Sequence, residues 1–437
     1  MSETDRRFAI GLVAIGAVAL VARVLFVVVV DPTVPPMGDA STYHLLAQNL
    51  ADGQGYIRPF DSAILGEMRP TAEFPPLFPS VLAVIDRLGG DAVETQRLLM
   101  TMVGTATVVL IGLLGRRVGG NAVGLVAAGV AAVYPMLFLS EAILYAETLA
   151  VPLVVVVLIL AYRAADSPTP TWFALLGLAI GLSALTRAEG LLLVVLLTIP
   201  LGLAVRSADA RRRLVLIGAS VAATAVLVVP WTIRNAVQLD AFVPVSNNVG
   251  TAIDGANCDL TYSGKHFGLW RFTDGPRDRP QAVACFEGFA IENDDFEEAA
   301  VAAEHRGDGI RYARDHVDRL PVVLTVRTLR TWGLYDPAGQ IDFEALEGRP
   351  RRWQAIGTWM YWALLPLAVA GTVLLVRRKQ RVWPLLSTAV LVSITTMLTY
   401  GQQRFRAAAE PAIVVLAAVA VVAIVGAVRS RRAAATP

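Results

Sequence analysis

Long apolar runs alternate with short basic loops along most of this chain. The run at residues 171–205 is too long for one crossing and is interrupted at Arg187 and Glu189. It therefore predicts a tight hairpin of two shorter helices. The pattern predicts an all-α, polytopic membrane protein with about ten transmembrane helices. The other eight runs, each long enough to cross about 30 Å of hydrocarbon, are residues 8–30, 97–115, 121–139, 145–163, 214–233, 354–376, 382–400 and 408–428.

The basic residues of the short loops indicate the orientation. With a cytoplasmic N-terminus, every short basic loop falls on the same side, as the positive-inside rule requires. The two long polar segments then both lie outside. The predicted division is a first transmembrane helix (1–30), a first external loop (31–95), transmembrane helices two to seven (96–233), a large external loop (234–352), and helices eight to ten with a cytoplasmic tail (353–437).

Amphipathic patterns in the two polar loops predict helices lying on the membrane surface. In the first loop, apolar residues at three- and four-residue spacing follow Asp39 as far as Leu50, and a second pattern ends at Leu88. In the large loop, residues 295–318 carry a mixed-charge helical pattern and residues 321–332 an interfacial one.

Composition excludes an ordinary soluble protein. The 437 residues are 55% hydrophobic and only 17% charged, with a mean hydropathy of +0.57. The net charge of +2 gives no indication of a nucleic-acid partner. The first apolar run is too long for a signal-peptide core, so we expect it to be retained. Cys258 and Cys285 both lie in the large loop, where an extracytoplasmic location would permit a disulfide; free thiols are the alternative.

Charged residues gather at the predicted external ends of the spans. Charge inside a span is costly unless it faces water or a partner, so we expect this set to line one outward-facing cavity, although a single arginine at a helix end is usually explained by snorkelling. Arginine suits a lipid-linked phosphate because its planar fork stays charged and binds phosphate bidentately. The set is Glu141, Glu147, Arg187, Glu189, Arg234, Arg404, Arg406 and Glu410.

Asp39 is the candidate base. A carboxylate at the first residue of a helix is stabilised by the helix dipole and free amide groups, so a capping role alone is the simpler interpretation. An isoprenoid phosphate that carries a sugar, however, is one such lipid-linked phosphate. Transfer of its sugar needs a base for the acceptor hydroxyl and cations for the departing phosphate. Asp39 could supply the first if the fold brings the first loop over the arginines.

Five segments carry a family resemblance: Gly38 to Tyr56, Phe74 to Pro79, Leu185 to Gly190, Pro230 to Asn235, and Gln403 to Arg406 with Glu410 and Pro411. Together they resemble the GT-C glycosyltransferases, in particular the branch of protein O-mannosyltransferases and lipid A aminoarabinose transferases that use polyprenyl-phosphate sugars. The resemblance runs in order along nearly the whole chain. It implies a GT-C fold and an inverting transferase with Asp39 as its catalytic carboxylate, and it matches Arg187, Arg234, Arg404 and Arg406 with basic positions near the lipid phosphate.

The chain departs from that family before its double proline. Many relatives have a second acidic residue or a lysine there; here the neighbours are Arg69, a candidate phosphate ligand, and Glu73, a candidate second carboxylate. Tyr43, His44 and Glu189 are candidates for substrate contact. A divalent metal is left open, because no histidine pair has familiar ligand spacing.

We therefore predict a polyprenyl-phosphate-sugar-dependent glycosyltransferase, hexosyl or pentosyl, in a bacterial cell membrane with its active site facing outside. Its partners would be the donor lipid, the bilayer and a glycan, lipid or protein acceptor. A transporter or flippase of lipid-linked sugars is the alternative, although such proteins usually show related halves and polar groups near the midplane. A non-catalytic envelope-assembly factor is a third hypothesis.

Overall fold

The computed structural model describes residues 2–31, 38–271, 285 and 297–434. Within these ranges the protein is helical, and its only extended pairing is an isolated antiparallel bridge between Ile57 and Pro70. The predicted all-α fold class is therefore confirmed. The prolines expected to break the chain before Asp39, and the first two residues of the helix predicted at 295–318, lie outside the described ranges.

Every predicted apolar run forms a helix. Six helices are long and apolar enough to cross a membrane, and a bent pair with a 46° break would make a seventh, among the residues that the structure describes. Three further apolar helices are shorter, so the count of about ten spans is not confirmed. The long helices are α1 (Glu3–Leu25, continued by a π-helical turn to Val30), α4 (Val93–Gly119), α7 (Glu147–Asp166), α10 (Ala210–Leu239), α16 (Arg351–Arg377) and α18 (Glu410–Ala434); the bent pair is α5 (Asn121–Val133) and α6 (Pro135–Ala142); the shorter helices are α8 (Pro170–Ala184), residues Ala188–Leu203 ending in α9 (Ile199–Leu203), and α17 (Trp383–Leu398).

The basic loops meet at one end of the bundle, which we call the basic end. Arg116 pairs with Asp5 at the start of α1, and Arg117 pairs with Asp166 at the end of α7. Arg381, before α17, reaches the same Asp166 at 3.1 Å. Loops far apart in sequence thus share one end, as the charge pattern predicts.

Close helix packing holds the bundle together. α4 packs on α5, α8 on α10 and α16 on α18. Small residues permit this approach: a Cβ atom on Gly177 of α8 would lie 2.0 Å from the carbonyl oxygen of Ser220 on α10. Such contacts are typical of membrane helices, where lipid tails are as apolar as leucine and association depends on close packing.

The two polar loops form a helical layer at the end opposite the basic end. The four predicted surface helices are present, and three short helices were not predicted. Within this layer α2 (Asp39–Ala51) packs on α3 (Leu77–Arg87), and α11 (Val249–Asp254) packs on α13 (Glu298–Asp315). The layer contains α2 (Asp39–Ala51), α3 (Leu77–Arg87), α11 (Val249–Asp254), α12 (Asp259–Tyr262), α13 (Glu298–Asp315), α14 (Leu320–Thr331) and α15 (Pro337–Leu346).

Glu298 joins the first polar loop to the second. Its Oε1 atom accepts hydrogen bonds from the Ala72 amide at 2.8 Å and from Asn247 Nδ2 at 2.7 Å. Asn247 in turn donates its backbone N–H to the Ala72 carbonyl at 3.0 Å. Cys258 and Cys285 are joined by a disulfide, with 5.4 Å between their Cα atoms. The hydrogen bonds hold the two polar loops together, and the disulfide closes the second loop on itself.

Candidate active site

Asp39 is placed by the way α2 begins. Gly38 adopts φ +55°, which favours glycine, and Asp39 is the first helical residue. One turn later the Tyr43 ring packs edge-on against Phe74 and Phe78, at 4.9 and 5.1 Å between centroids. The buried ring fixes α2 on the segment that precedes α3. Asp39 is left at the helix end with 27% of its side chain exposed.

Arg404 is the direct partner of Asp39. It lies on a 3-10 turn, Gln403–Ala408, between α17 and α18. Its Nη2 atom donates to Asp39 Oδ2 at 2.7 Å, across 365 positions of sequence. The guanidinium is only 7% exposed and lies over the Tyr145 ring, 4.9 Å from its centroid. A candidate base and a cation therefore share one site.

Arg187 joins the same site through Glu147. The apolar hairpin predicted at residues 171–205 turns here, which brings Arg187 beside the first residue of α7. Its Nη1 donates to Glu147 Oε1 at 2.7 Å, and its Nε donates to Glu189 Oε1 at 2.5 Å. Glu147 Oε1 also lies 3.8 Å from Arg404 Nε. The two arginines thus bracket one buried carboxylate.

Glu347 completes the site and was missed by the sequence analysis. It follows α15, and its Oε2 atom lies 3.3 Å from Arg404 Nη1 and accepts a hydrogen bond from Gln402 Nε2 at 2.5 Å. No pattern distinguishes it from the nearby acidic residues of α15, so only the tertiary fold identifies it. We call the whole group the Asp39 cluster: Asp39, Glu147, Arg187, Glu189, Glu347 and Arg404.

Glu73 lies on the segment that carries Phe74 beneath Tyr43, and so close to the start of α2. Burial, with the negative charges of Glu298 and Asp39 adding to it, raises the pKa of Glu73 to about 7. Within the described residues its carboxylate has no hydrogen-bond donor or ion-pair partner. It is therefore a carboxyl group whose charge changes near neutral pH, beside the Asp39 cluster.

Arg234 and Arg69 support the first polar loop instead of joining the cluster. Arg234 donates to the carbonyl oxygens of Thr71 and Tyr56, both at 2.6 Å, and lies over the Trp231 ring at 4.9 Å. Arg69 pairs with Glu67 at 2.6 Å. Among the residues described, neither arginine is paired with a member of the Asp39 cluster, so their role as phosphate ligands stays a prediction.

The expectation of one cavity lined by all eight external charges is wrong. Arg406 has no exposed side-chain surface; it bonds Glu410 at 2.6 Å and lies 3.5 Å from the centroid of the Tyr361 ring. Glu141 pairs with Arg23 at 3.0 Å, also fully buried. In these pairs each buried charge has the partner whose removal would be costly. Arg406 is therefore buried within the helix bundle with Glu410 as its partner, and its role as a phosphate ligand stays a prediction.

Two expected substrate contacts also have structural surroundings. Tyr43 is 4% exposed, and its ring is enclosed by Phe74 and Phe78. His44 is bound through Nδ1 to Gln96 Oε1 at 2.9 Å, and Gln96 bonds Asp86 at 2.6 Å, which ties α2 to α4 and α3. Substrate contact by Tyr43 and His44 stays a prediction. Glu189, in contrast, is 25% exposed within the cluster.

The carboxylates of the Asp39 cluster are paired with arginines. No group of three or more His, Cys, Asp or Glu side chains in the described ranges has an arrangement that could hold a metal ion. Asp39, Glu147, Glu189 and Glu347 each lie within 3.8 Å of an arginine nitrogen. Each of these carboxylates therefore has a guanidinium group as its partner.

Comparison with known proteins supports the resemblance. Residues 73–233 match the sequence model of the dolichyl-phosphate-mannose-protein mannosyltransferase family. This match includes Glu147, Arg187 and Glu189 but neither Asp39 nor Arg404. None of the curated protein sequences matches the chain.

Two solved structures share the fold at low sequence identity. The apo oligosaccharyltransferase of Archaeoglobus fulgidus aligns with a TM-score of 0.53 and 14% identity, covering 98% of this chain and 51% of that one. The same organism's oligosaccharyltransferase AglB, in complex with an inhibitory peptide and a dolichol-phosphate, aligns at 0.52 and 13%, covering 99% and 52%. This chain therefore spans about half the length of these relatives. ArnT from Cupriavidus metallidurans bound to undecaprenyl phosphate aligns at 0.43 and 15%, covering 96% and 78%.

Proposed function

We propose that this protein is a membrane glycosyltransferase that moves a sugar from a polyprenyl-phosphate donor to an acceptor hydroxyl. The observation that carries the proposal is the 2.7 Å hydrogen bond between Asp39 and Arg404, with Arg187 held beside them through Glu147. A partly exposed carboxylate next to two arginines provides both parts of the chemistry, a base for the acceptor and cations for the leaving phosphate.

In the proposed reaction Asp39 removes the proton of the acceptor hydroxyl. The acceptor oxygen then attacks the anomeric carbon from the face opposite the phosphate, and the bond between that carbon and the phosphate oxygen breaks. Its electron pair leaves with the polyprenyl phosphate, whose negative charge Arg404 and Arg187 stabilise. Attack from the opposite face inverts the anomeric configuration.

The donor class is supported by both comparisons. The family model that matches residues 73–233 is that of enzymes using dolichyl-phosphate mannose, and a protein that shares the fold was solved with dolichol-phosphate. Hexose and pentose donors both meet the chemical requirement, and glycans, lipids and proteins all offer acceptor hydroxyls.

An outward-facing site is supported by two features of the fold. The Asp39 cluster lies at the end of the bundle opposite Arg116, Arg117 and Arg381, where the positive-inside rule places the exterior. The second polar loop carries the disulfide between Cys258 and Cys285, and disulfides persist in oxidising compartments. We therefore place the reaction at the outer face of a bacterial cell membrane.

Purified protein in lipid nanodiscs should be incubated with labelled decaprenyl-phosphate mannose or decaprenyl-phosphate arabinose and an extract of acceptor glycans, lipids and proteins. We expect acceptor-dependent release of free decaprenyl phosphate from one donor and a glycoside of inverted anomeric configuration by NMR. The same protein reconstituted in liposomes tests the alternative: transfer of intact donor across the vesicle membrane with no release would instead identify a transporter. If neither release nor transfer is seen, the non-catalytic role is supported.

A further inference from the structure

The Asp39 cluster contains more negative than positive groups. Four carboxylates, Asp39, Glu147, Glu189 and Glu347, share two guanidinium groups. A donor phosphate would add another negative charge to a mostly buried site, where like charges repel strongly. The site can accept that phosphate only if a carboxylate moves away from an arginine or loses its charge.

Arg404 has hydrogen-bond donors that could bind a phosphate if a carboxylate moved away from it. Its side chain is 93% buried, yet among the described residues only Nη2 donates a hydrogen bond, to Asp39. The Nε and Nη1 atoms are buried, and neither has an acceptor within the described part of the chain. Glu347 Oε2 lies 3.3 Å from Nη1 but does not accept a hydrogen bond from it. Buried donors without an acceptor are costly, so they favour a ligand that can accept from them.

We propose that Glu347 is the internal counter-anion of Arg404 and that the phosphate of the donor binds by displacing the Glu347 carboxylate from Nη1, with uptake of one proton. The inference rests on the proposed function, because it names the residue that regulates access of the donor to the same arginine. It assigns a role to a residue that no sequence pattern singled out.

Glu347 is the carboxylate best suited to leave. Asp39 is hydrogen-bonded to Arg404 at 2.7 Å and fixed at the start of α2. Glu147 is only 3% exposed and is held by Arg187 at 2.7 Å. Glu347, in contrast, is 21% exposed, lies beyond the end of α15, and has a neutral partner, Gln402, that could hold it after displacement.

Glu347 should lose its charge when a phosphate replaces its carboxylate at Arg404. Burial raises its pKa to about 7, with Arg404 opposing that rise and Glu344 and Asp39 adding to it. Separation of the Glu347 carboxylate from Arg404 and the arrival of a negatively charged phosphate both favour the neutral form of Glu347. A proton is therefore taken up from solution. The titratable and charged groups around Glu347 are Arg404, Asp39, Glu344, Arg349, Tyr145 and Tyr400.

The test measures the affinity for decaprenyl methyl phosphate, a phosphodiester that keeps one negative charge, from roughly pH 5.5 to 8.5. In the wild-type protein the affinity should fall by up to about tenfold per pH unit as pH rises above about 7, because binding needs a proton that becomes scarcer. Glu347→Gln should flatten this dependence and bind about tenfold more tightly near pH 8.5. Asp342→Asn, which removes an exposed charge from α15, should behave like the wild type.

A second measurement needs no variant. Calorimetry of wild-type binding in two buffers of different ionisation enthalpy gives the number of protons taken up, which should approach one near pH 8. An uptake of zero, or identical pH profiles for the wild type and Glu347→Gln, would overturn the role of Glu347 and leave the glycosyltransferase proposal in place. Absence of binding at every pH would overturn the phosphate-donor proposal itself.

Discussion

Arg404 and Arg406 are two positions apart in sequence and have opposite surroundings. On the 3-10 turn that carries them, Arg404 points to Asp39 and Glu347 in the partly exposed cluster, whereas Arg406 is fully buried against Glu410. The sequence identifies both as charges at a helix end but cannot show which one faces a site, because that depends on how the turn meets α2 and α18.

Substitution of Arg404 should therefore weaken binding, whereas substitution of Arg406 should lower stability. Arg404→Gln should weaken binding of decaprenyl methyl phosphate by about 2–5 kcal/mol, because a buried cation that faces the phosphate is lost. Arg406→Gln leaves Glu410 buried without its cation, which typically costs about 3–5 kcal/mol of stability. Thermal midpoints and binding affinities of both variants check this. The distinction is contradicted if Arg406→Gln folds normally and loses binding.

Glu73 predicts a pH dependence of stability. Its pKa rises from an ordinary 4.5 to about 7 on folding, so between these values the unfolded chain releases a proton that the folded protein keeps. Stability attributable to this residue therefore decreases as pH rises from 4.5 to 7 and stays low above that. The thermal midpoint of Glu73→Gln should exceed that of the wild type above pH 7, and the difference should shrink towards pH 4.5. A pH-independent difference would contradict this assignment.

At the scale of elements, α2 positions the site because its aromatic contacts hold it on α3 and the preceding segment. Tyr43→Ala should lower stability by about 3–5 kcal/mol, as truncation of a buried aromatic residue does, and should lower transfer activity with it. Tyr43→Phe keeps the ring and should behave like the wild type in both assays. If instead Tyr43→Phe loses activity at normal stability, the hydroxyl group contacts substrate.

Periodicity predicted the elements better than the site. The apolar runs and the patterns at residues 39–50 and 321–332 contain enough 3.6-residue repeats to define helices. α15 is short and carries its charges without a clear stripe, so neither the helix nor Glu347 after it could be recognised. Asp39 was recognised from its place in a motif, while its partner, 365 positions away, follows only from the fold.

At the scale of the whole molecule, orientation can be tested with the only two lysines of the chain. Lys265 lies in the second polar loop and Lys379 between α16 and α17, and both are exposed. An amine reagent that cannot cross membranes should label Lys265 on intact cells, and Lys379 only after permeabilisation. Mass spectrometry of the labelled peptides gives the answer. Labelling of Lys379 alone on intact cells would place the Asp39 cluster in the cytoplasm.

In the proposed reaction Asp39 acts as a base beside a phosphate-binding arginine. This role is tested by measuring transfer of labelled sugar by Asp39→Asn together with donor binding in the same preparation. We predict that turnover falls by about 10²–10⁴-fold, the usual contribution of a general base, while the variant still binds the donor. Full turnover in Asp39→Asn would contradict a role for Asp39 as the base.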